Sequence, residues 1–127
     1  FDYWVTKEIL TQYSPRVVMV EVNVRFEPTE SWRLKDDPNW DWNGTKWYGA
    51  SPMAYKKMFN DAGYTPVYTH VDDLIAVRND VLREGGFSEP EWKYVYPHSN
   101  APLYNTHNMN GTQPLVTELN LDEWEEV

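Results

Sequence analysis

A carboxylate and a carboxamide two residues apart, Glu21 and Asn23, sit where an apolar run gives way to alternation. Val17, Val18, Met19 and Val20 are continuously apolar, which suits a central parallel strand buried on both faces of a sheet. From there Glu21, Asn23 and Arg25 alternate with Val22, Val24 and Phe26, so that two faces separate. At the end of such a strand, side chains on one face stand about 6.6 Å apart and project into the crevice where open α/β sheets bind ligands. Glu21 and Asn23 are therefore the candidate catalytic residues. An edge strand with one wet face would show the same alternation without a site.

The aromatic residues are the second candidate. Between Glu27 and Ala50 no hydrophobic period survives, yet Trp32, Trp40, Trp42, Trp47 and Tyr48 stand there among Asp36, Asp37 and Asp41. Structureless stretches this long are uncommon in compact domains and often act as lids or binding loops. Indoles are costly to leave in water, so the loop is expected to fold back over something. Trp40, Trp42, Trp47 and Tyr48 are the candidate substrate-binding residues if it covers the crevice above Glu21 and Asn23. The same residues could instead cover a hydrophobic face of this chain.

Other chemistry is weaker. Asn39, Asp41, Asn43 and Gly44 match the opening of a calcium loop, but Ala50 stands where the bidentate Glu belongs. His70, His98 and His107 share no metal-ligand spacing, so no metal site is expected. Asn43-Gly-Thr45 and Asn110-Gly-Thr112 are N-glycosylation acceptors, provided the chain enters the secretory route. No phosphate-cradling glycine loop, nucleophile elbow or HExxH motif is present.

Positioning elements can be read around these residues. Tyr3 to Tyr13 reads as a helix whose apolar stripe is Val5, Ile9, Tyr13 and Leu10, stopped by Ser14-Pro15. It leads straight into the Arg16–Phe26 strand, as in one half of a βαβ unit whose first strand lies upstream of Phe1. Ser51-Pro52 opens a second helix with an N-cap and a first-turn proline, and Gly63 suits its end. Thr65 to Val71 and Leu74 to Arg78 read as two strands joined at Asp72-Asp73. Trp92 to Tyr96 reads as a short strand, and Glu118 to Val127 as an acidic tail in preference to a docking element.

Composition narrows the class. The chain has 127 residues, enough for one domain or part of one, and 16% of them are aromatic. A net charge of −9 argues against nucleic acid and anionic membranes as partners. The absence of cysteine removes disulfides and thiolate chemistry. It leaves the compartment open, since the sequons suit secretion and the lack of cysteine suits the cytoplasm. No apolar run approaches the ~18 residues of a membrane span. The opening Phe-Asp-Tyr-Trp has neither an initiator Met nor a signal peptide, so a processed chain or a piece of a longer one is expected.

Taken together, FDYWVTKEIL, YSPRVVMVEVNVRFEP, WNGTKWYGAS and DDLIAVRNDV carry a resemblance that single motifs do not. Residues 1–80 resemble the C-terminal half of FkbM-like S-adenosylmethionine-dependent methyltransferase-like proteins. The resemblance implies an α/β fold: the second half of a doubly wound, Rossmann-like sheet whose last two strands form an antiparallel pair. Residues 81–127 would be an irregular, acidic extension matching nothing in that group. It also implies that the cofactor's glycine-rich turn and acidic ribose ligand lie in a first half this chain lacks. S-adenosylmethionine would then be bound mainly by that N-terminal half or by another chain completing the sheet. This chain would supply the substrate-side wall and bind none of the cofactor alone. The alternative, from another class, is a non-enzymatic, glycosylated structural or binding protein that keeps the fold.

Overall fold

The computed structural model describes residues 2–42, 44, 47–97 and 119–127. Their elements are α1 (Asp2–Gln12), β1 (Val17–Glu21), β2 (Trp32–Leu34), α2 (Pro52–Asp61), β3 (Tyr64–His70), β4 (Asp73–Arg78), α3 (Asn79–Glu84), α4 (Trp92–Val95) and β5 (Trp124–Glu126). The fold is mixed α/β, with two small antiparallel sheets ordered β1-β4-β3 and β2-β5. No helix among the described residues is long and apolar enough to cross a membrane.

The hairpin is where the sequence placed it, but its turn is one residue early. His70 pairs with Asp73, leaving Val71 and Asp72 as the turn, and Val71 takes a φ of 58°. A β-branched residue in the left-handed region is strained.

β1 departs further from expectation. It pairs antiparallel with β4, Val17 opposite Val77 and Glu21 opposite Asp73, and it lies at the margin of the sheet. Only one face is covered: Val20 is buried, while Val17 and Met19 are 54% and 63% exposed. The unbroken apolar run misled because the second face has no helix layer over it among the described residues. Since β1 and β3 both run against β4, they run in the same direction as each other, joined through α2.

The covered face makes the main core. Val20, Val22, Leu74 and Ala76 meet Ala54, Tyr55, Met58 and Phe59 of α2 and Tyr3 of α1. α2 starts as its sequence says it should. The Ser51 hydroxyl accepts from Ala54 N–H at 3.2 Å and also from Trp32 N–H at 2.9 Å, so one buried side chain caps the helix and ties it to β2.

α1 turns a different face inward from the one its stripe suggested. Tyr3 and Thr6 are buried, whereas Val5, Ile9 and Tyr13 are 52%, 44% and 66% exposed. Specific polar contacts decide the rotation. The Tyr3 ring meets Tyr55 edge-on at 5.2 Å, its hydroxyl accepts from Arg33, and the Trp4 indole donates to Leu34 O at 2.9 Å.

The second core holds Phe26, Leu34, Leu119 and Trp124, with Trp32, Trp40 and Trp47 against it. The expected acidic tail is therefore a docked strand. Trp124 supplies the apolar anchor, Glu125 pairs with Arg33 at 2.8 Å, and Lys35 and Lys57 donate to the carbonyls of Leu121 and Val127. Trp92–Val95 is a single helical turn where a strand was expected. Its following Tyr96 is buried in the main core and donates to the carbonyls of Val24 and Phe26. The segment after residue 80 is thus built into both cores, at least where it is described, and does not hang from an independent domain.

Candidate functional site

The carboxyl end of β1 gathers the sequence-predicted polar residues, though not in the predicted pose. Regular strand ends at Glu21, and the chain turns at Val24 and Arg25. Two opposed backbone bonds force this end: Val22 N–H donates to Asp72 O at 2.7 Å, and Asn23 N–H donates to Ala50 O at 3.0 Å. The strict alternation at Glu21, Asn23 and Arg25 therefore does not continue as one wet face.

Glu21 is exposed, opposite Asp73 across the ladder. Asn23 is turned inward and fully buried. Its amide nitrogen donates to Tyr48 O at 3.2 Å, and its Oδ1 accepts from Arg25 N–H at 3.1 Å. An amide so placed clasps the aromatic loop to the strand end, which makes it a positioning residue and corrects its expected projection into a crevice.

Arg25, which the sequence did not single out as a site residue, is the cation of this corner. It is almost fully buried, and its guanidinium lies 5.8 Å from the centre of the Tyr48 ring. Its Nε has no hydrogen-bond partner among protein atoms. Burial holds the Tyr48 phenol above its ordinary range, Arg25 works in the opposite direction, and the carboxylates of Glu21 and Asp72 add to the rise. The group thus combines an exposed carboxylate, a buried guanidinium and a neutral phenol at one strand end. That set can orient a polar or anionic group and supplies a hydrogen-bond donor and acceptor at neutral pH. The clue to Arg25 was its place two residues beyond Asn23 in the alternation.

The aromatic loop divides between two jobs. Trp42 is exposed and meets Tyr48 edge-on at 6.3 Å, so it belongs to the corner. Trp47 packs on Phe26 at 5.6 Å and on Trp124 at 6.2 Å, and Trp40 lies against the same second core. Trp40 and Trp47 cover this chain's own apolar surface, while Trp42 packs on Tyr48, whose carbonyl accepts from Asn23 at the strand end. Asn43 and Asn110, the two sequon asparagines, lie outside the described residues.

No group of His, Asp or Glu among the described residues is arranged to hold a metal ion. The strand end does not suit S-adenosylmethionine either. Val22, Asn23 and Val24 are fully or almost fully buried, and no glycine turn follows β1 to let a nucleoside approach the backbone. Comparison with protein-family models, with curated proteins and with solved structures finds no match for this chain.

Proposed function

We propose that the chain is the C-terminal portion of an FkbM-like methyltransferase-like protein, supplying the substrate-side wall to a partner polypeptide that carries the S-adenosylmethionine site. One observation supports this above the others. β1 and β3 run the same way through a connection containing α2, β4 is reversed between them, and among the described residues β1 is the end strand of its sheet. Co-directional strands joined through a helix are the building unit of α/β sheets. A final antiparallel hairpin is what the resemblance implies for the end of the methyltransferase-like sheet.

In this reading the doubly wound, Rossmann-like sheet is completed beyond β1 by strands of the partner, either the N-terminal half of the same protein or another chain. Glu21, Tyr48 and Trp42 face the methyl acceptor, and the buried Arg25 lies behind them against the Tyr48 ring. Asn23 holds Tyr48 in place from behind, while Trp40 and Trp47 brace the loop. The cofactor's chemistry is electrophilic methyl donation; this chain's share is to bind and orient the acceptor and to offer Glu21 as the group that takes up its proton.

Calorimetry with S-adenosylmethionine tests the division of labour. The purified chain alone is expected to give no binding heat, whereas the assembly isolated under native conditions should bind the cofactor and show a second polypeptide by intact mass. Micromolar binding by the chain alone would overturn the placement of the cofactor site. A native assembly that binds none would overturn the methyltransferase reading.

A further inference from the structure

A groove of about 450 Å³ lies between α1 and α2 and shares no residue with the strand-end corner. Its walls follow from how the helices are anchored. Tyr55 holds Tyr3 inward, so Lys7 and Leu10, one and two turns on, come to the same face of α1 and line the groove. α2 faces them with Lys57, Met58, Asp61 and Ala62, again a single face at helical spacing. Arg33 of β2 closes one end.

The groove gathers positive charge on an acidic chain. Lys7, Arg33 and Lys57 all line it, although the net charge of the chain is −9. Arg33 is the best prepared of the three, with a side chain only 18% exposed. Its Nε donates to Glu125 at 2.8 Å, its Nη1 donates to the Tyr3 hydroxyl at 3.1 Å, and its guanidinium lies 4.4 Å from the centre of the Trp4 ring. A planar cation fixed in this way loses little freedom when another partner arrives. Among the described residues its Nη2 donates to no protein atom. Lys7 lies over the same indole at 5.3 Å and is in no ion pair with a described residue. Lys57 donates to the Val127 carbonyl at 2.6 Å, which leaves further N–H groups of its ammonium for a ligand.

We propose that this groove binds a small monocarboxylate with an apolar tail, its head group taken by Arg33 Nη2 and the two lysines. Charge limits the head group to one negative charge. Glu125 already answers Arg33, and Asp61 stands on the wall, so a second negative charge on the ligand meets like charge. The tail has its own surface in Leu10, Met58 and Ala62, and the volume is that of a small-molecule site. The proposal goes beyond the methyltransferase reading and does not depend on it, since neither the cofactor nor the strand-end corner takes part.

Calorimetry with octanoate on the full chain at low salt is expected to give one site with a Kd of about 1 mM or tighter. Acetate, which has the charge without the tail, and 1-octanol, which has the tail without the charge, should each bind at least about tenfold more weakly. The double substitution Lys7→Gln and Lys57→Gln, at two exposed positions, should weaken octanoate about tenfold with an unchanged far-ultraviolet spectrum. Lys93→Gln, on α4 and outside the groove, should leave the affinity as it was. In nuclear magnetic resonance spectra, the amide shifts caused by octanoate should gather at Lys7, Leu10, Lys57 and Ala62. Absence of octanoate binding at about 10 mM overturns the proposal. So does 1-octanol binding as tightly, undiminished affinity in the folded double variant, or shifts gathered at Glu21 and Tyr48.

Discussion

Asn23 and Glu21, two residues apart, belong to different physical categories. Asn23→Ala strands the Tyr48 carbonyl and the Arg25 amide in a buried place, and each unsatisfied group costs about 1–3 kcal/mol. Urea unfolding is therefore expected to show a loss of about 2–4 kcal/mol for Asn23→Ala. Glu21→Ala, on an exposed side chain, should stay within about 0.5 kcal/mol of the parent. Equal losses at both positions would mean that the corner is not divided into clasp and exposed face as described. Val71 gives the opposite sign. Its left-handed backbone costs of order 1–3 kcal/mol, so Val71→Gly should raise the unfolding free energy by about 0.5–1 kcal/mol after the entropic cost of glycine, seen as a higher urea midpoint with the m-value unchanged. A lower midpoint would show that the Val71 side chain contributes more in contacts than its backbone costs in strain.

At the scale of elements, the β2–β5 ribbon depends on one indole. Strands of three residues hold little by themselves, and Trp124 joins them to Phe26 and Trp47. Trp124→Ala is expected to cost about 3–5 kcal/mol where it acts, enough to release β5. The amides of Trp32 to Leu34 should then exchange faster while those of β4 are unaffected; slowed or unchanged exchange at β2 would refute the anchoring role. The one-turn α4 is secured differently, through Tyr96, whose buried hydroxyl bridges two carbonyls.

Burial raises the phenol of Tyr96, and likewise that of Tyr55, with carboxylates adding to both. In linkage terms, an acid whose folded pKa lies above its unfolded value holds more protons in the native state once pH passes the unfolded value. Stability is thus full below about pH 10 and falls as pH rises further. Tyr96→Phe is expected to cost about 1–2 kcal/mol at neutral pH and to reduce the alkaline slope, as read by urea midpoints between pH 8 and 11.

For the whole molecule, the uneven distribution of apolar surface is the governing fact. One face of the β1-β4-β3 sheet carries a helix layer and a core, while Val17 and Met19 on the other face, and Val5 and Ile9 on α1, remain in contact with solvent.

Local chemistry made several elements legible before any fold was known. Ser51, Pro52 and Gly63 mark α2, because caps and backbone restrictions act within a few residues. Alternation flanking a two-residue turn marks the β3–β4 hairpin, whose partners are close in sequence. Val22, Val24 and Phe26 are buried, but so are Asn23 and Arg25, which alternate with them. What a residue meets across the molecule was not legible. α1 offers one stripe with Val5 and Ile9 and another with Tyr3 and Leu10, and only the arrival of Tyr55, Arg33 and the Leu34 carbonyl chooses between them. The apolar run of β1 says that two faces can be buried, while sheet order and helix placement decide that one is. Asn23 entered as a site residue because its own neighbours define a polar face. It became a clasp because the carbonyls of Tyr48 and Ala50, distant in the chain, come within hydrogen-bond reach of it.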